Sequence, residues 1–176
     1  MEAFISRLST RNNFWHRVCS LIWLPYAFRS GIRMKRIDKR TFTAVLPFRR
    51  FNRNWYNAMA GASLLANSEI AGGMYLFAAV GGDYTVVCKE LRYRFLRPCL
   101  GPAIYKVEPV EDLEALIDTH EEFNIEIDLS VYQQRLPVPG KKKGKEREVR
   151  VGKCTATFHV TPKQQIEAKE KRRPTA

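Results

Sequence analysis

Between Arg53 and Asp83 the sequence carries a single charged side chain, Glu69, in a stretch otherwise made mostly of small and apolar residues. A carboxylate desolvated by such surroundings is suited to act as a general base on water or as a nucleophile. Eight residues before it stands Gly61, followed by Ala62 and Ser63. A helix beginning there presents unpaired N–H groups and a partial positive charge. The amides of Gly61 and Ala62 would then polarise a carbonyl and hold the oxyanion that forms on it. Glycine at that point lets a substrate come close to the backbone. Asn54 is placed to orient a water or to cap the helix region, and Ser63 and Asn67 are polar candidates for lining the same site.

The helix that must carry these groups reads from Ala58 to Gly72, rich in small residues, with Gly72-Gly73 as its C-cap. Eight residues of helix at ~1.5 Å each separate Gly61 from Glu69 by roughly 12 Å. One chain therefore does not bring both to one carbonyl, and a second subunit has to supply one of them. Alternating apolar residues around the helix predict strands. Ile32, Met34, Phe42, Ala44, Leu46 and Phe48 share a face, with a turn near Asp38-Lys39. Further strands are expected at Thr85–Leu96, Ala103–Val107, Phe123–Tyr132 and Val149–Val160, with a short helix over Val110–Thr119. Ahead of them, residues 13–28 place Phe14, Val18, Leu21 and Ile22 at helical spacing. That helix is expected to pack on the domain; the sharper alternative, from Arg7, Arg11, Arg17, Trp15 and Trp23, is weak contact with a membrane surface. The order of elements predicts an α+β fold with a sheet wrapped on one buried helix.

At 176 residues and 45% hydrophobic composition the chain has room for one folded core and is not disordered throughout. Its net charge of +12 is unevenly spread: +10 over residues 1–53, −6 over 54–140 and +8 over 141–176. Such basic ends fit an anionic partner. The middle is acidic, however, and no nucleic-acid-binding motif is present, so nucleic acid is not expected. The Lys141–Lys145 loop and the basic tail read as solvated segments. Cys19, Cys88, Cys99 and Cys154 form no Cys-x-x-Cys pair, and His16, His120 and His159 are isolated, so no metal site is expected. The run Val18–Leu24 is stopped by Pro25 and lacks a cleavage site, and Ala58 to Gly82 is interrupted by polar residues and glycine pairs. The cytoplasm is the expected compartment.

The segment Asn52-Arg-Asn54-Trp-Tyr-Asn57-Ala-Met-Ala-Gly61-Ala62-Ser63-Leu64, followed by Glu69, resembles the hot-dog-fold thioesterase superfamily. It is most like the uncharacterised thioesterase-like branch, whose members commonly read Asn-Arg-Asn, then Gly-Gly-Ser-Leu at the start of the central helix, then an acidic residue eight positions after the first glycine. Trp23-Leu-Pro25, Ser30-Gly-Ile-Arg33 and Tyr93-Arg-Phe-Leu-Arg-Pro98 extend the likeness. Ala62 stands where a second glycine is usual, Asn57 where glycine is frequent, and the histidine sometimes preceding the glycines is absent. The resemblance implies a hot-dog fold: an antiparallel sheet curled around a long central helix over 31–162, with an N-terminal helical extension at 1–30 and a basic tail at 163–176. It also implies a homodimer or tetramer that hydrolyses an acyl-CoA or acyl-carrier-protein thioester. Glu69, Gly61, Ala62 and Asn54 would be the catalytic set, and Asn57, Ser63, Asn67 and Arg97 would contact substrate. Coenzyme A enters only as part of that substrate, and no other cofactor is implied. The alternative is a hot-dog protein that binds acyl groups without turnover.

Overall fold

In the computed structural model the chain is described over residues 25–36, 42–134 and 148–166. The elements run α1 (Pro25–Ser30), β1 (Arg33–Arg36), β2 (Phe42–Leu46), a 3-10 turn (Arg50–Asn52), α2 (Gly61–Val80), β3 (Tyr84–Phe95), β4 (Ala103–Pro109), α3 (Leu113–Asp118), β5 (Phe123–Gln133) and β6 (Val149–Pro162). The predicted turn at Asp38-Lys39, the helix before residue 25 with its arginines and tryptophans, Cys19, the Lys141–Lys145 loop and the tail from 167 lie outside the described residues.

The strands form one six-stranded sheet in the order β1-β2-β4-β5-β6-β3, antiparallel throughout. Period-two alternation puts every second residue on the inner face. Ile125, Ile127, Leu129 and Val131 of β5 are buried there, as are Ala103, Tyr105 and Val107 of β4 and Phe42, Ala44 and Leu46 of β2. The register carries the dry face across the sheet: Phe42 faces Val107, Val107 faces Leu129, and Leu129 faces Cys154. Each large apolar side chain so buried contributes roughly 1.5–3 kcal/mol, which is why the alternation in β5 and β2 decides their pairing and not merely their propensity.

Against that face lies α2, burying Leu64, Ala71, Leu76 and Val80. This helix does not stop at Gly72-Gly73, as its glycine pair predicts; it continues to Val80 and ends at Gly81, whose φ of 80° is the left-handed conformation glycine supplies. Gly72 serves packing instead. A Cβ there would lie 2.9 Å from the ring of Phe158 on β6, so glycine lets helix and sheet close on each other. Pro25 is the first residue of α1, where its fixed φ and missing N–H suit the start of a helix. The α3 helix forms where expected, capped by the Asp112 carboxylate, which accepts from the Glu114 and Ala115 amides. No helix among the described residues is long and apolar enough to cross a membrane.

Candidate active site

Helix α2 begins at Gly61, three residues after the Ala58 start that the apolar run predicts, because Ala58 and Met59 belong to the loop that Asn54 and Cys99 hold; Gly61 and Ala62 thus occupy its first turn. Its N-cap, Ala60, has no side chain able to cap, and the N–H groups of Gly61, Ala62 and Ser63 meet no acceptor among the described residues. The first amide of the segment is used: Ala60 N–H donates to the Asn52 carbonyl at 2.7 Å, and Leu64 N–H closes the first helical turn on Ala60. What remains is a short row of free donors at the positive end of a 20-residue helix.

Phe95, the last residue of β3, stands over this helix start. A Cβ on Gly61 would lie 3.1 Å from the Phe95 ring, so glycine here accommodates an aromatic side chain. Phe95 is 55% exposed and its ring packs on Tyr93 with centroids 4.4 Å apart. The Tyr93 hydroxyl turns inward over Gly152, a position without room for a side chain, and has no hydrogen-bond partner among the described residues. Burial, followed by its neighbours Cys154 and Cys99, pushes this phenol far up. Sequence reasoning assigns neither aromatic a chemical role; they enter it only within the strand Thr85–Leu96 and the Tyr93–Pro98 segment of the resemblance.

The loop ahead of the helix is built by the Asn-Arg-Asn segment, with a division of labour invisible in the sequence. Asn52 is fully buried, and its Nδ2 donates to the carbonyls of Ser30 (2.8 Å) and Pro47 (2.9 Å). Asn54 is exposed, and its Oδ1 accepts from the amides of Tyr56 (3.0 Å) and Ala58 (3.1 Å), which makes it the holder of a turn. Asn57 adopts φ 54°, a left-handed conformation that asparagine tolerates better than most side chains, and accepts from Arg53 at 2.8 Å. Its place in the motif, where glycine is frequent, thus has a backbone cause.

Ser63 and Asn67 are buried and face the interior. Asn67 donates through Nδ2 to the Ser63 carbonyl, and its Oδ1 lies 2.9 Å from the Ser30 hydroxyl. Asn67, Ser30 and Asn52 therefore tie α1, the 3-10 turn and α2 into one polar seam beneath the helix start. Arg97 follows β3 and is exposed; its amide donates to the Val151 carbonyl while its side chain points to solvent.

Glu69 does not meet Gly61, since both lie on one helix two turns apart. Within the single chain Glu69 is exposed, not enclosed by apolar groups as its sequence context implies, because the face of α2 it occupies is not covered by the sheet. It stands near β3: burial, and then the Glu69 carboxylate, push the Cys88 thiol up. Among the described residues, strand β3 pairs only with β6 and forms one edge of the sheet.

No family model and no curated protein matches the sequence. The fold does match solved structures. A thioesterase family protein from Silicibacter pomeroyi is 15% identical, with 83% of this chain and 96% of that chain covered at a TM-score of 0.63. A putative thioesterase from Shewanella oneidensis is 12% identical, covering 92% and 100% at a TM-score of 0.65. Thioesterase HI1161 from Haemophilus influenzae is 12% identical, covering 81% and 87% at a TM-score of 0.63. With its six-stranded antiparallel sheet curved on a long helix, the chain has the hot-dog fold that these thioesterase-family structures share.

Proposed function

We propose that the protein hydrolyses an acyl thioester carried by coenzyme A or by an acyl carrier protein. The observation that carries the reading is the uncapped start of α2, where Gly61, Ala62 and Ser63 hold free N–H groups beside a half-exposed aromatic ring. The amides of Gly61 and Ala62 polarise the thioester carbonyl and receive the oxyanion. Glu69 acts from the neighbouring copy, as base on water or as nucleophile, in a homodimer joined along β3. An edge strand with exposed Val87 and Phe95 supports such pairing, and Glu69 stands beside that edge. Contact with the second copy would also remove Glu69 from water. Phe95 and Tyr93 flank the carbonyl site, while Asn54 and Asn57 shape its loop and Ser63 and Asn67 support the helix start from below. Arg97 is placed to meet a phosphate of the substrate, and the proposed compartment is the cytoplasm.

Acyl-thioester binding without turnover is the second reading. Ala62 in place of glycine and the Phe95 ring against Gly61 favour it, since both narrow the approach to the amides. Release of free thiol from short, medium, long and aromatic acyl-CoAs separates the two, with Glu69→Gln beside the natural chain. Turnover that is lost in the variant supports hydrolysis. Tight retention of an acyl-CoA with no thiol released overturns it in favour of binding.

A further inference from the structure

The basic half of the chain presents a surface that borders the loop of Asn54 and Asn57 and whose arginines and exposed rings have no role in the proposed chemistry. Between Glu2 and Glu69 the sequence has one acidic residue, Asp38, against twelve lysines and arginines. Among the described residues of that span, Arg29, Arg33, Lys35, Arg49, Arg50 and Arg53 are all exposed, with no acid among them.

The arginines are interleaved with exposed aromatic rings. Trp55 is 101% and Tyr56 89% exposed, both on the turn that Asn54 holds, and Phe51, Phe28 and Tyr26 follow at 47%, 42% and 37%. Hydrogen bonds and ring contacts join the segments that carry them. Tyr26 of α1 packs on Phe51 of the 3-10 turn, with ring centroids 5.8 Å apart. Asn52 ties the turn to the end of α1, the Arg49 guanidinium lies against Gly31, and Arg53 sits over the Phe48 ring and bonds Asn57. The face is rigidly based, yet its most exposed members are large aromatics whose rings gain nothing from water.

We infer that this face docks on a membrane surface containing anionic lipid. Tryptophan and tyrosine at protruding positions suit the headgroup layer, where an apolar ring body and a polar edge are both accommodated. The surrounding arginines meet the negative headgroups. Two other occupants fit less well. A second copy related by a two-fold axis would set this cationic face against itself. A single-stranded nucleic acid is bound by aromatics lining a charged groove, whereas here Trp55 and Tyr56 project from a turn. Trp55 and Tyr56 share their turn with Asn54 and Asn57 of the proposed site, but the inference does not need hydrolysis to occur and is read by vesicle binding alone.

The test is co-sedimentation of the full chain with phosphatidylcholine vesicles, with and without phosphatidylglycerol. Two variants accompany it: Arg50→Gln, and Trp55→Ala with Tyr56→Ala. All three sites are exposed and circular dichroism checks their folding. The expected result is binding to the anionic vesicles only, weakened about fivefold by Arg50→Gln and further by added salt. The aromatic double variant is expected to lower it several-fold. Equal binding to neutral vesicles, no binding, or binding untouched by both variants overturns the inference. Two further results would overturn it by reassigning the face: an RNA oligonucleotide that displaces the vesicles through the same residues, or loss of self-association in the aromatic double variant.

Discussion

Gly72 and Gly73 are adjacent in the middle of α2, and alanine is expected to act on them with opposite sign. In a helix interior, glycine to alanine gains about 1 kcal/mol of helix propensity at either position. At Gly73 the new Cβ would lie 3.6 Å from Phe158, an ordinary contact, so Gly73→Ala is expected to stabilise the protein by the full amount. At Gly72 it would lie 2.9 Å from one ring carbon of Phe158 and 3.1 Å from another. Phe158 is 2% exposed and cannot swing away, so the strain is that of an overpacked core, about 1–3 kcal/mol. Propensity cancels between the two variants, and their difference, about 2 kcal/mol, is the strain alone. The assay is urea unfolding at one fixed protein concentration, because self-association would make stability depend on it. Gly72→Ala with Phe158→Leu should be more stable than the sum of the single changes, with a coupling of about 1 kcal/mol or more. If Gly72→Ala is as stable as Gly73→Ala, the argument that Phe158 dictates glycine at position 72 is refuted.

Asn67→Ala removes the donor to the Ser63 carbonyl and the acceptor near Ser30, and is expected to cost about 1–3 kcal/mol in urea unfolding; additivity with Ser30→Ala would mean that the seam is not a unit. Burial alone would raise the Asp128 carboxyl, but hydrogen bonds from Lys153 and Thr155 and the charges of Lys153 and Arg150 outweigh it and hold it below its ordinary value. With the folded value below the unfolded one, its stabilisation is fully present above about pH 4 and fades as pH falls towards the folded value. Asp128→Asn should therefore be less stable than the natural chain at neutral pH and level with it in acid. The gap should stay under about 1 kcal/mol because the pair is partly solvated. A gap that widened in acid would invert the sign and sink the assignment.

Much of the fold is legible in the residues, because alternation in Phe42–Leu46, Ala103–Val107 and Phe123–Tyr132 is a local property that burial on one face enforces. The end of α2 is not. A glycine pair looks the same as a cap whether the chain turns there or an aromatic ring arrives from a distant strand, and only the position of Phe158 distinguishes them. Site residues divide in the same way. Gly61 and Ala62 are readable as a helix start, since the loop before them carries its own turn chemistry in Asn54 and Asn57. Asn52 and Asn54 differ in burial for reasons of tertiary contact, through Ser30 and Pro47, that no spacing rule contains. The exposure of Glu69 depends on which face of α2 the sheet leaves open, and a single-chain pattern is silent about that.

β6, the last of the described strands in chain order, lies between β5 and β3 in the sheet. Until it is synthesised, β3 lacks its neighbour in the described sheet, and the strip of α2 at Gly72 lacks the Phe158 ring it packs on. β1, β2, β4 and β5 can pair in the order in which they are made, but β3 cannot join the sheet until β6 has left the ribosome. β3 and the middle of the central helix must wait in a partly collapsed intermediate whose closing step joins segments far apart in sequence, the kind of step that makes folding slow and leaves edges open to aggregation. Truncations that remove β6 should accordingly yield not a smaller domain but an insoluble one.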